Sequence, residues 1–296
     1  MLKRLFLLVL TNCLWANLAI RAQELRGRVL AASSDKPVAF ATVGIRGKAL
    51  GSTADESGRF AFAVPSTLPS LDSVVISCVG FRALRITVGQ LRAESGAVWR
   101  LQPQAQSLNE VHVRHPQLKP AIMGRTAVGG IAYWTTKIRD STLTVASDER
   151  GWEVATVLPV RRSCYVDSFR FYVSQNDFKP VRFRFVLYEL TNDKPTRQLL
   201  TDDIQFTLPS QQTGWASLDL RSYNIELRKG QTVAAGIQWL EGEKLDPKGG
   251  PKRGALSGPG AFPSVGHRVL VRDKSEAEWR TLPVNVSMYL AVQEYK

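Results

Sequence analysis

The sequence predicts an all-β protein built from two sandwiches in tandem. Three observations carry this reading. Short runs of alternating apolar and polar residues recur from residue 24 onward, Gly, Pro, Asn and Asp punctuate them, and no comparable stretch has helical periodicity. The 296 residues amount to about two domains. Hydrophobic residues at 44% and charged residues at 22% are globular proportions, which excludes fibrous and disordered classes.

Residues 1–22 read as a signal peptide. Lys3 and Arg4 precede apolar runs from Leu5 to Leu10 and from Leu14 to Ile20, and Ala22 offers a small residue at the cleavage point. Export to the periplasm, the outer-membrane surface or the medium is therefore expected. Removing the leader takes away Lys3, Arg4 and Arg21 and lowers the formal charge from +13 to +10. A basic exported protein attracts anionic polysaccharides or acidic partner proteins. Nucleic acid is not an expected partner, because no long lysine-arginine block is present. No apolar run in the mature chain approaches the roughly 18–20 residues of a spanning helix. Cys78 and Cys164 remain after cleavage. Cys78 alternates with Val74 and Ile76 and reads as a small buried hydrophobe, and a disulfide between the two is allowed but not implied.

Residues 24–103 form the first module. The runs 25–31, 38–47, 60–64, 74–81, 84–88 and 97–101 alternate as strands do, and turn chemistry separates them. In the turn Asp55-Glu56-Ser57-Gly58, the aspartate can bond its own backbone two residues on, and Gly58 can adopt positive φ. About seven strands in some 80 residues give a small antiparallel sandwich.

Four signatures then carry a family resemblance. They are Gly27 to Val29, the P-V-x-x-A-x-V of Pro37 to Val43, the T-x-D-x-x-G-x-F of Thr53 to Phe60, and the V-G-F of Val79 to Phe81. This order resembles the carboxypeptidase-D regulatory-like domain, which implies a transthyretin-like, prealbumin-type sandwich related in architecture to immunoglobulin folds. Its motif residues are fold residues. The resemblance does not bring a zinc peptidase with it, since none of His112, His115 and His267 has a glutamate three residues on. The following segment, Ser107 to Gln117, contains a Leu-Asn-Glu-Val-x-Val portion. It resembles the stretch after the same domain in TonB-dependent outer-membrane receptors. The roughly 180 residues beyond it are too few for a 22-stranded barrel, so an envelope or secreted protein sharing the module is expected.

Residues 104–130, rich in Gln, Pro and Gly, read as a linker. His112 and His115 within it flank Arg114, which disfavours a bound cation. Residues 131–296 then read as a larger antiparallel jelly-roll sandwich, by analogy of strand count. Phe169, Phe171 and Val173 share one face, with Arg170 and Tyr172 opposite. Val181, Phe183, Phe185 and Leu187 share another, with Arg182 and Arg184 opposite. Val233 to Trp239 and Val284 to Val292 repeat the pattern, the latter with Tyr289 on the polar side. Such alternation predicts one buried and one wet face. Residues 246–266, with four prolines and six glycines, are expected to be an irregular loop, either a basic lid or a surface excursion.

No Ser-His-Asp order, telling carboxylate pair or cofactor fingerprint is present, so no catalytic residue is assigned and no cofactor is expected. Asp202 and Asp203 leave a structural calcium site open. Five tryptophans fall in the second module, and a tryptophan face can stack on a sugar ring. Trp239 is in phase with the core. Trp215 and Trp279, both beside turn or charged residues, are the candidate ligand-binding tryptophans, with Arg280, Lys252 and Arg253 as polar companions. The expected function is a non-catalytic binding or scaffolding module of the cell envelope, with a glycan or an envelope protein as partner. A carbohydrate-binding module working through exposed tryptophans is the first alternative, and a hydrolase with a dispersed site is the second.

Overall fold

A computed structural model describes residues 22–104, 117–136, 149–246, 255–264 and 266–296. Nearly all of the expected leader, His112, His115, Lys252 and Arg253 lie outside the described residues. The first sandwich contains β1 (Ala22–Ala31), β2 (Thr42–Ile45), β3 (Gly51–Thr53), β4 (Arg59–Pro65), β5 (Ser73–Ser77), β6 (Leu84–Thr87), the short helix α1 (Val88–Ala93) and β7 (Val98–Leu101). Its strands form two sheets, β4-β1-β7 and β3-β2-β5-β6. Leu25, Val29, Phe60, Val64, Val43, Ile45, Val74 and Ile76 meet between them as a separate core. The expected all-antiparallel pairing holds except at β1 and β7, which run parallel. The Asp55 turn closes as its chemistry dictates. Its carboxylate accepts from Ser57 Oγ at 2.7 Å and Arg59 N at 2.9 Å, and Gly58 sits at φ +75°.

The second sandwich adds β8 (Leu118–Gly124), β9 (Ala132–Thr135), β10 (Glu153–Pro159), β11 (Cys164–Val173), β12 (Gln175–Asn176), β13 (Val181–Thr191), β14 (Lys194–Gln198) and β15 (Gln205–Leu208). It continues with β16 (Gly214–Asp219), β17 (Glu226–Leu227), β18 (Thr232–Glu241), β19 (Leu256–Ala261), β20 (Val269–Arg272), β21 (Arg280–Leu282), β22 (Asn285–Val286) and β23 (Met288–Tyr295). One large sheet has the order β14-β13-β18-β10-β20-β21, and the other has β16-β11-β23-β8. A smaller sheet, β12-β19-β22 with β9 on β19, closes one end. The alternating apolar sets of β11, β13, β18 and β23 converge in one core around Phe169, Phe171, Phe183, Phe185 and Trp239. Phe169 and Phe185 approach to 5.1 Å, and Phe183 and Trp239 to 5.3 Å. No helix among the described residues is long and apolar enough to cross a membrane.

Two expectations are corrected here. Residues 118–124 of the expected linker are strand β8, paired with β23 from Leu118 to Gly124. Pro120 is tolerated because β8 is a sheet edge, where a missing N–H breaks no ladder. The expected irregular loop at 246–266 contains β19, which pairs with β9, β12 and β22. Its glycines serve close packing. A Cβ at Gly258 would lie 2.3 Å from Trp134 Nε1, and one at Gly260 would lie 2.8 Å from Val284 Cγ1.

Candidate functional site

The sequence-derived candidates separate in space. Trp279 belongs to the outer face of the larger sheet. It packs edge-on against Tyr188 at 5.6 Å and under the Arg272 guanidinium at 4.4 Å. There it covers a small second apolar cluster of Ala155, Val157, Ala234 and Leu270. Arg280 is paired with Asp273 at 2.8 and 2.9 Å. Trp215 lies on the outer face of the other sheet.

Around Trp215 the register builds an aromatic face. Trp215 on β16 stands directly opposite Tyr172 on β11, and Arg170 is opposite Tyr289 on β23. The indole contacts Tyr172 at 5.4 Å and Tyr289 at 5.0 Å, both edge-on. Trp215 and Tyr172 stay half-exposed, and Tyr289, packed against Trp215, is buried. Arg170 donates to the Tyr289 hydroxyl at 3.3 Å. Gly124 on β8, opposite Tyr289, adds no side chain to the face. Tyr172, Tyr289 and Arg170 were visible in the sequence only as residues out of phase with the core.

The outer face of the larger sheet was expected to be wet and is buried instead. The first sandwich docks on it. Arg184, at 3% exposure, pairs with Asp203, reaching Oδ2 at 2.8 Å, and donates to Gln238 Oε1 at 2.7 Å. It also crosses to the first sandwich, donating to the Phe40 carbonyl at 3.2 Å. Phe40 holds φ +56°, rare for a bulky residue, and its ring lies under Arg182 at 4.9 Å. Two arginines of one sandwich thus hold a strained residue of the other. Gln238 passes the network on to Glu153 at 2.8 Å and Ser275 at 3.0 Å. Glu153 accepts from Arg272 at 2.6 Å and Tyr188 at 2.9 Å. At Gly44 of β2, a Cβ would lie 2.8 Å from Glu276 Cβ, so the glycine permits the close approach. Gly47 N–H donates to the Glu276 carbonyl at 2.8 Å beside it.

A cleft of about 670 Å³ opens between the sandwiches, lined by Ser77, Cys78, Gly80, Arg197, Thr201 and Glu276 among others. Burial pushes the Cys78 thiol up to about 11 and the Cys164 thiol up to about 12, so both are protonated at neutral pH. They are free thiols, one in each sandwich. Burial, and the negative charge of Glu153 that repels a phenolate, raise the Tyr188 hydroxyl. Burial also raises the Glu276 carboxyl, with Glu153 adding to the shift while Arg272, Arg46 and Arg85 oppose it. Asp203, considered above for calcium, accepts from both Arg184 and Gln205. Among the described residues no three His, Cys, Asp or Glu side chains gather to hold a metal ion.

Arg184→Ala leaves Gln238 Oε1 and the Phe40 carbonyl without their donor and Asp203 without its ion-pair partner. The expected loss is about 3 kcal/mol of stability in chemical denaturation, and the double change Arg184→Met with Asp203→Leu is expected to lose less. Glu276 has a raised value in the folded state, so its contribution is full below the ordinary value of 4.5 and declines as pH rises through the raised one. Melting temperature measured between about pH 4 and pH 8 should show that decline, and Glu276→Gln should flatten it.

No curated protein matches the chain. Two solved structures are similar over 87% of this chain, both at 10% identity. One is a single-residue variant of the clostridial cysteine protease Cwp84 after propeptide cleavage, with a TM-score of 0.37. The other comprises the cysteine protease and lectin-like domains of Cwp84, a surface-layer-associated protein of Clostridium difficile, with a TM-score of 0.36. The chain spans 66% and 59% of those two chains. Residues 25–113 match the CarboxypepD_reg-like domain family, and the first sandwich is a CarboxypepD_reg-like domain.

Proposed function

We propose that this protein is an exported, non-catalytic binding module of the cell envelope, and that its recognition surface is the aromatic face around Trp215. The carrying observation is the arrangement of Trp215 and Tyr172, half-exposed and packed edge-to-face on each other, with Tyr289 against Trp215, on a sheet face with a polar margin of Arg170 and Ser217. A sugar ring presents an apolar C–H face to such a plane and hydroxyls to the polar margin. Trp279, by contrast, already has Arg272 over its ring.

The non-catalytic part of the reading is supported by how the reactive groups are used. Glu153 and Asp203 are each held by an arginine, and both thiols stay protonated. The first sandwich acts as a fixed platform, tied down through Arg184, that sets the orientation of the binding face. Export is supported by the basic and apolar pattern of residues 1–22.

Trp215→Ala is expected to abolish binding on a glycan array while leaving the melting temperature within a few degrees. A silent array with the unaltered protein overturns the glycan reading. Fractionation of the native cell, with the mature N-terminus read directly, should find the protein outside the cytoplasm and beginning near Gln23. Recovery from the cytoplasm with Met1 intact removes the export reading.

A further inference from the structure

We infer that the glycan taken by the Trp215 face is acidic, a polysaccharide of sugar acids whose carboxylate is held by Arg170. The inference rests on the glycan reading of the same face and adds the chemical class. Arg170 is exposed beside the aromatic plane, two residue pairs along from Trp215 and Tyr172 on the same face. Its cross-strand neighbours are Ser217 on β16 and Tyr289 on β23, neither of them charged. Among the described residues, its hydrogen-bond partner is the Tyr289 hydroxyl at 3.3 Å, and no carboxylate lies within ion-pair distance.

The nearest acids on this sheet are occupied. Asp219 is gripped by Arg221, with the guanidinium Nε at 2.9 Å and a terminal nitrogen at 2.5 Å. That grip holds the Asp219 carboxyl down at about 2, so it stays ionised and committed to Arg221. Asp167 accepts from Gln293 at 2.6 Å.

Elsewhere in the protein, several arginines are matched by acids. Arg197 has Glu189, Arg268 has Asp193, Arg280 has Asp273 and Arg100 has Asp35. Arg170 is exposed without such a partner among the described residues, and it stands beside the aromatic face of Trp215 and Tyr172. A guanidinium fork there, steadied by the tyrosine hydroxyl, offers its remaining N–H groups to a planar carboxylate bidentately. The formal charge of +10 left after removal of Lys3, Arg4 and Arg21 favours the approach of a polyanion. Stacking on Trp215 supplies sugar recognition, and Arg170 supplies the preference for acid over neutral rings.

The test uses the intact protein and three acidic polymers, polygalacturonate, alginate and hyaluronan, each beside its carboxyl-reduced form. Affinity electrophoresis should show at least one acidic polymer bound more tightly than its reduced partner, by about three- to fivefold, as fits an exposed ion pair. Arg170→Gln should remove that difference, weakening the acidic polymer more than its reduced form. About 0.5 M NaCl should shrink it. Trp215→Ala should weaken both forms. Equal binding of acidic and reduced polymers, or an acid preference that survives Arg170→Gln, overturns the inference and leaves the glycan reading standing. An acidic polymer held equally well by Trp215→Ala shows general attraction to a basic surface and also overturns it. Binding to none of the six polymers overturns the inference, and the glycan array then decides the glycan reading.

Discussion

The Arg184 guanidinium is the constraint on which the arrangement of the two sandwiches depends. It is a charge buried at their junction, and burying a charge is tolerable only when its donors are met. Asp203 neutralises it from its own sheet, Gln238 takes a third contact, and the Phe40 carbonyl takes a fourth from the other sandwich. Moving the first sandwich away strips that last acceptor and admits water to one side of the pair. It also releases Phe40, whose positive φ is compatible with folding because Arg182 and Arg184 hold its ring and carbonyl. The junction is therefore specified by hydrogen-bond geometry more than by apolar area. A polar contact of this kind has essentially one satisfying orientation, whereas an apolar patch tolerates sliding.

Much of the fold was legible because both cores are assembled from strict alternation. Phe169, Phe171, Phe183, Phe185 and Trp239 point inward as their spacing predicts, and the Asp55-to-Gly58 turn closes by its own side chains. The opposite faces were less legible for a definite reason. Alternation says which residues leave the core, but it does not say whether they then meet water or another part of the protein. Arg182 and Arg184 are equivalent in the pattern, yet Arg184 is buried against Phe40 and Arg182 is partly open. Strands β10 and β18 are buried on both faces, and their near-continuous apolar runs were the available signal that something covers the outer side. β8 and β19 were hidden for another reason. Pro120, Gly258, Pro259 and Gly260 are turn residues by composition, and they sit in strands only because an edge and a close approach to Trp134 make room for them.

The two tryptophans chosen from sequence show how far local context reaches. Both sit beside polar or charged residues, and nothing within a few positions distinguishes them. What separates them is the partner brought by a distant strand. Trp279 meets Arg272 and Tyr188 over an apolar cluster that needs a lid, so its ring is consumed in packing. Trp215 meets two tyrosine rings at steep angles and stays half-exposed. Edge-on contacts are the geometry that steadies an aromatic ring while leaving a face free.

The same logic extends from rings to charges. In this protein a basic side chain beside an acid is structure, as with Arg221 on Asp219 or Arg272 on Glu153. Such pairs cancel their field within a few ångströms and contribute little to distant attraction. The net positive charge that remains must come from cations without such partners, and their positions decide where an anion settles. Arg170 places one of them at the margin of the open aromatic face, with serine, tyrosine and alanine around it. Shape and charge therefore coincide on the outer face of the β16-β11-β23-β8 sheet, and the docking of the first sandwich on the opposite sheet leaves that coincidence uncovered.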